Sequence, residues 1–572
     1  MKKEVPRVDK DNVADKKEEF QSVDYDELLS SAGEFGRYQF LLFIATFPTN
    51  VYGAFSYFSQ MFMTEASPNH WCWIPELENL TEIDRRNLAI PADPESPFRY
   101  SRCAAYVANW SEVLITGQKP NSTWGVQTCQ HGWEFNKSEI PYPTVSSEFG
   151  WVCDKDSYQA TAQSIFFMGS IVGGFLIGWI ADRYGRIPAI VSCNLIGFVG
   201  GVISIFATDF LQFSACRFLF GISYDNCMMM MYLLVLEYVA PKYRTLVANL
   251  PPAIFYTLAV VTLPWISLAC GHWKTISLAT SVPMLLVVIA PFILPESPRW
   301  LLSKGRVDDA INKIKNISKV NKKEVPQGLI DQFKKTIENN DKQESYGIMT
   351  ILKNPMIRKA FISLCVLFMC SMIIFDALIR TIGGLEFDFF LSFTFVSMTE
   401  FPSLLILTLI LDLTGRKWLS IVFLVNVCVF SVMCIFIGQG LPSVICTVIA
   451  RFSVNFAINA TQQWAAEILP TPVRGSGTSI VHICSYVSTI ISPYIVYSGN
   501  FVTWLPHFII GCTALLGASC AFMLPETAGK DIPHTLKDAE DLMSNQKAFD
   551  IPFLRKKTDE LAGNTNASFE MN

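Results

Sequence analysis

Three acidic side chains sit inside long apolar stretches of this chain: Asp225 in Ser223-Tyr-Asp-Asn-Cys-Met228, then Asp376 and Glu400. A charge at the middle of a bilayer-spanning helix costs about 2.5–3.5 kcal/mol on insertion scales, so such groups persist where they face water, a partner or a solute. The basic residues deep in the same stretches are Arg217 and Arg451, each early in its segment and read as helix-pairing or gating groups. The balance is acidic, which favours cations. Aromatic rings supply a complementary attraction, about 0.5–2 kcal/mol for a cation over a ring face. Tyr256, Phe368, Phe375 and Tyr486 are candidates for that role, with Tyr52, Tyr57, Phe255 and Trp464 behind them, and Gln463 is a candidate for polar lining.

A second set of charges recurs at a fixed interval. Asp182-Arg183-x-Gly185-Arg186 returns as Asp412-x-x-Gly415-Arg416, displaced by 230 residues. Glu237 with Arg244 returns as Glu467 with Arg474, and Pro295-Glu296 as Pro525-Glu526, at the same displacement. Several landmarks sharing one offset indicate an internal duplication. Glycines in Gly178-x-x-x-Asp182 and at 185 permit close helix approach and a tight turn. The charges are expected to pair with neighbouring helices, Arg183 or Arg186 with Glu237, and to gate access, as is Arg299 in Pro295-Glu-Ser-Pro-Arg-Trp-Leu301.

The elements that position these groups are bilayer-crossing helices. The 572 residues are 51% hydrophobic with 43 Phe, and twelve stretches reach the roughly 20 apolar residues that a crossing needs. This predicts an all-α membrane protein of twelve transmembrane helices in two parallel six-helix halves. An even number in each half makes both copies face the same way, with the solute path between them. The first segment spans about Phe40 to Met63 and the fourth about 211 to 239.

Between the first and second segments lies a polar loop holding Cys72, Cys103, Cys129 and Cys153 and the acceptor sequences at Asn79, Asn109, Asn121 and Asn136. Clustered cysteines and Asn-x-Ser/Thr sites indicate a disulfide-bonded, glycosylated extracellular loop. Four cysteines allow three pairings. Lys and Arg fall on the opposite turns, which puts both termini in the cytoplasm. The expected division is a cytoplasmic N-terminus at 1–36, a first half at 37–302 with the loop at 64–156, a cytoplasmic linker at 303–357, a second half at 358–528 and a cytoplasmic tail at 529–572, partly disordered.

A net charge of -5 argues against nucleic acid as a partner. The phosphate-binding Gly-x-x-x-x-Gly-Lys-Ser/Thr of a nucleotide-driven pump is absent, as is a dense catalytic or metal-ligating constellation. No cofactor or metal is expected, and the chain reads as no enzyme. A plasma-membrane carrier of small organic cations or zwitterions is expected, working by alternating access and drawing on the potential or on a sodium ion or proton. An organic anion carrier and a non-transporting receptor are the alternatives.

The turn Gly178-Trp-Ile-Ala-Asp-Arg-Tyr-Gly-Arg186 resembles the signature of the major facilitator superfamily. Pro295 to Leu301, the cysteine-bearing loop and Asn109-Trp-Ser111 are similar to the organic cation, organic anion and carnitine transporters, most of all to invertebrate members, over about residues 25 to 540. The resemblance implies the major facilitator fold and substrates such as amines, carnitine-like or carcinine-like compounds. It places an aromatic pair of the seventh helix on Phe368 and Phe375, and a carboxylate of the eighth on Glu400. Departures are specific: Tyr486 stands where relatives carry Asp or Arg, Asp225 where they often carry Lys, and Asp376 where Gln is usual. The loop has four cysteines where many relatives have six.

Overall fold

The computed structural model describes residues 24–94, 98–118, 120–121, 124–339, 349–384, 387–530, 532–533 and 535–544. Among them, eleven helical stretches are long and apolar enough to cross a membrane. They are Cys153–Tyr184, Arg186–Ser204, Phe210–Leu236, Pro241–Cys270, Trp273–Ile293, Pro355–Gly384, Phe389–Leu411, Arg416–Ile437, Leu441–Ile468, Val473–Asn500 and Leu505–Phe522, called here the second to twelfth spans.

The first span precedes them as two helices, Arg37–Ala45 and Phe47–Thr64, that meet at Thr46. Its composition is less apolar because Thr49, Asn50, Ser56, Ser59, Gln60 and Thr64 are buried along it. A helix carrying that much polarity inward is enclosed by protein rather than lipid.

Two apolar cores fill the bundle, the first centred on the first half but reaching Phe389, Phe393 and Val396 of the eighth span. One gathers Phe58, Phe166, Phe213, Leu234, Val260 and Ile276, the other Leu364, Leu424, Val454, Trp464, Ile510 and Ala514. Small residues let backbones close on one another: a Cβ added at Gly169 or Gly221 would strike the facing backbone of the second and fourth spans, at Phe218 and Phe166.

The two ends of the bundle differ. At one end, residues 65–156 form a small unit of two antiparallel ribbons, His70–Cys72 with Trp133–Phe135 and Ala104–Tyr106 with Val126–Thr128. Its core is little more than Trp71, Leu77, Ile90, Ala105, Trp110 and Val113, and the disulfides Cys72–Cys129 and Cys103–Cys153 staple it. Asn79, Asn109 and Asn121 are exposed and Asn136 half-buried; Ser122 and Thr123 of the third acceptor sequence lie outside the described residues. At the other end, the linker forms helices Val307–Asn321 and Gln327–Asn339, with Ala310, Ile311, Ile314 and Ile317 buried against the first half. In the tail a helix at Leu536–Ser544 packs Ala539 and Met543 into the second half; residues 545–572 lie outside the described part.

Candidate functional site

The repeated motifs fold into two superposable constructions at the linker end. Arg186 reaches Glu237 at 3.2 Å and Arg416 reaches Glu467 at 2.9 Å. The Glu296 carboxylate accepts from the backbone N–H of Arg186 at 2.8 Å and of Ile187 at 3.2 Å, while Glu526 accepts from Arg416 and Lys417, each at 3.0 Å. A carboxylate on the first N–H groups of a helix satisfies donors that have no intrahelical partner and complements the dipole. Arg244 donates to the Val239 carbonyl and Arg474 to that of Leu469. Gly185 and Gly415 hold φ of 113° and 85°, and a side chain at 185 would collide with Glu296.

These pairs lie within one half each, so they brace the linker end of a half rather than bridge the two. Asp182 is exposed and meets Arg186 at 3.2 Å, and Arg183 lies over the rings of Trp179 and Tyr184 rather than on Glu237. The side chain of Asp412 lies outside the described part. Arg244 and Arg299 both bind Asp26 of the N-terminal helix Tyr25–Ser31. Partial burial alone would raise the Asp26 carboxyl, but the hydrogen bonds from the two arginines outweigh it and hold it below its usual range. That latch was not foreseen from sequence; Asp26 sits in a mixed-charge segment that shows no pattern.

The halves meet at the loop end. Ser164 donates to the Ile490 carbonyl at 2.8 Å, Tyr494 to Thr161 at 3.1 Å and Asn500 to Asp156 at 2.7 Å. Phe58 and Phe62 of the first span pack edge-on against Phe393 of the eighth at 5.3 and 4.8 Å. Deeper in, Tyr57 donates to Asp376 at 2.5 Å, and Arg380 grips the same carboxylate at 2.7 Å. Asp376 is fully enclosed. Expected as a cavity-facing acid, it is instead taken up by Arg380, one turn on in the same helix.

Mid-span, the fourth helix breaks. The Phe210–Ser223 helix stops and the Asn226–Leu236 helix starts, with Asp225 between them at φ 59°. A non-glycine residue held there costs about 1–3 kcal/mol and is found where the surroundings over-determine it. The Asn226 side chain repairs part of the break by donating to the Ile222 carbonyl at 3.0 Å. The segment read at 211 to 239 is one span, Phe210–Leu236, with this break inside it; hydropathy does not register a break between apolar flanks.

Tyr486 of the eleventh span donates its hydroxyl to Asp225, joining the halves at their centre. The neighbouring Tyr224 ring stacks on Tyr57 at 4.9 Å. Tyr256 lies in a π-turn, Pro252–Tyr256, within electrostatic reach of Glu400, Arg451, Asp225 and Asp376. Single π-turns inside helices are frequent at functional sites. Glu400 is buried and paired with Arg451 at 2.8 Å; the same guanidinium lies over the Phe375 ring and donates to the Phe375 carbonyl. Phe368 packs edge-on against His482 at 5.2 Å. Gln463, expected as polar lining, donates to Glu467 at 3.3 Å and belongs to the linker-end construction.

Of the three membrane acids, two are neutralised by arginines of their own half. Asp225 is held by a tyrosine hydroxyl alone among its described partners. That arrangement can exchange a neutral donor for a cation at the junction of the halves.

Residues 118–536 match the family described as sugar (and other) transporter. The chain is similar to the carcinine transporter of Drosophila melanogaster, 28% identical over 96% of this chain and 86% of that protein. It is equally similar to the β-alanine transporter of the same organism, 28% identical over 91% and 89%. The fold is that of the xylose transporter of E. coli in a partially occluded inward-open conformation, with a TM-score of 0.56, 14% identity and coverage of 86% and 99%. The chain therefore belongs to the sugar (and other) transporter family, and is a multi-pass membrane transporter of the major facilitator fold rather than an enzyme.

Proposed function

We propose that this protein carries small organic cations or zwitterions bearing an amine across the plasma membrane by alternating access, with Asp225 as the group that receives the amine. The observation that carries this reading is the charge accounting: Asp376 faces Arg380, Glu400 faces Arg451, and among the described residues Asp225 faces only the hydroxyl of Tyr486. The rings of Tyr256 and Tyr486 lie near Asp225 and give a cation aromatic faces to approach. The relatives named for carcinine and β-alanine, both amines, support the same class.

The loop carrying Asn79, Asn109, Asn121 and Asn136 is extracellular and glycosylated in this reading, with both termini and the 303–357 linker cytoplasmic. Hydrogen bonds across the halves gather at the loop end, so the conformation described is closed outside. An inward-negative potential worth about 2.3 kcal/mol per charge per 100 mV draws a cation inward. The paired Arg186–Glu237 and Arg416–Glu467 sites keep each half rigid while the halves rock on one another.

Uptake of labelled carcinine into cells expressing the protein tests this. Asp225→Asn is expected to lower carcinine uptake at least about tenfold, a loss of ~1.4 kcal/mol, while a neutral analogue of the same shape loses far less. Equal loss for both, in protein that reaches the surface, rules out pairing of Asp225 with the amine.

A further inference from the structure

The first half holds a buried arginine as poorly matched as Asp225. Arg217 on the fourth span is 1% exposed. Its Nε donates to Gln60 Oε1 at 2.7 Å and its guanidinium stacks over Phe166 and Phe220. Among the described residues its Nη2 has no hydrogen-bond partner. The neighbouring titratable groups that act on it are the thiol of Cys216 and, less strongly, Arg380, of like sign. Arg380 also has an unpartnered Nη2 and lies over Tyr57 and Phe167. Asp376 is taken up by Arg380 and Tyr57, and Glu65 accepts from Gln159.

More unsatisfied donors lie on the same walls. Among the described residues, Gln60 Nε2, on the amide that already touches Arg217, is buried without a partner, as are the donor Nε2 and the acceptor Oε1 of Gln163, one turn from Phe166 on the second span. A buried charge without a counter-charge is among the most costly arrangements in a protein, and each unpaired buried donor adds about 1–3 kcal/mol. Guanidinium and amide N–H groups set among phenylalanine rings form an array of donors whose unmet hydrogen bonds one monovalent acceptor would satisfy.

We infer that Arg217, Arg380, Gln60 and Gln163 form a buried site for a carboxylate-sized monoanion at the seam of the first, second, fourth and seventh spans. A free anion such as chloride and the carboxylate of a zwitterionic substrate share the required chemistry. The second source rests on the amine reading of Asp225: Tyr57 links the two places, its ring stacked on Tyr224 beside Asp225 and its hydroxyl on the Asp376–Arg380 pair.

Thermal unfolding of the purified protein in chloride, against the bulky sulfonate MES at equal ionic strength, is the first arm. A saturable stabilisation by chloride that Arg217→Gln removes and Arg217→Lys retains at weaker affinity assigns the site to a free anion. The second arm compares transport of β-alanine with that of propylamine, its carboxylate-free counterpart. If Arg217→Gln raises the KM for β-alanine at least tenfold more than that for propylamine, the occupant is the substrate carboxylate. Because chloride titration of the unaltered protein needs no variant, poor folding of Arg217→Gln leaves the test intact. Identical stability in both anions together with equal effects of Arg217→Lys on the two substrates overturns the proposal. Failure of the Asp225 reading is seen separately, as propylamine transport that does not respond to Asp225→Asn.

Discussion

The two halves are alike at the linker end and unlike at the membrane centre. At the linker end, the Arg186–Glu237 pair with Glu296 capping the third span repeats as Arg416–Glu467 with Glu526 capping the ninth. At the centre, the second half matches each acid with an arginine, Asp376 with Arg380 and Glu400 with Arg451. The first half leaves Asp225 and Arg217 without such partners among the described residues. Symmetry is kept where both halves must be equally stiff. It is lost where a solute must find charges that the protein has not already neutralised.

The sharpest way to break this contrast is to remove one member of a matched pair. Glu400→Gln leaves Arg451 buried and uncompensated, at a cost of about 3–5 kcal/mol. Heat-resistant, monodisperse protein is expected to fall steeply, and Arg451→Met in the same chain to restore much of it. Asp225→Asn, which removes an unmatched acid, should leave that stability nearly intact.

A middle-sized effect belongs to the loop-end seal. Tyr57→Phe keeps the ring on Tyr224 and deletes the hydrogen bond to Asp376, worth about 1.5–3 kcal/mol when the acceptor is charged. Pulsed electron spin resonance distances between labels at the loop ends of the second and eleventh spans are expected to lengthen as the outward-open population grows. An unchanged distribution removes Tyr57 from the seal.

The smallest effect concerns Asp26. Its carboxyl titrates below the usual range while Arg244 and Arg299 hold it, so docking of the Tyr25–Ser31 helix is fully favoured at neutral pH. That preference fades as pH falls through the lowered value, because protonation removes the charge both arginines bind. Amide exchange across Tyr25–Ser31, corrected for the intrinsic rate, should lose protection at acid pH and, at neutral pH, in Asp26→Asn. Protection indifferent to both changes contradicts the latch.

Much of this architecture was readable before any coordinates. The spans follow from length and apolarity, and the gate motifs from their common offset of 230 residues. The loop unit was legible in its cysteines, though not their pairing, which depends on how two ribbons cross. What stayed hidden depends on three-dimensional partners. Nothing in Ser223-Tyr-Asp-Asn-Cys-Met228 marks a helix break, because its flanks are as apolar as any span. Nothing marks Glu400 as neutralised until Arg451, on another helix, is found beside it. Glu296 reads as a gate charge and proves to cap the third span, since a carboxylate's partners can be backbone N–H groups that no pattern of side chains reveals.

The most direct test of the unmatched acid is equilibrium binding of labelled carcinine to the purified protein, which separates recognition from movement. The account predicts that Asp225→Asn weakens binding about tenfold or more, while Tyr57→Phe, which alters the seal and leaves Asp225 in place, binds within a few-fold of the unaltered protein. Unchanged affinity in Asp225→Asn would contradict it.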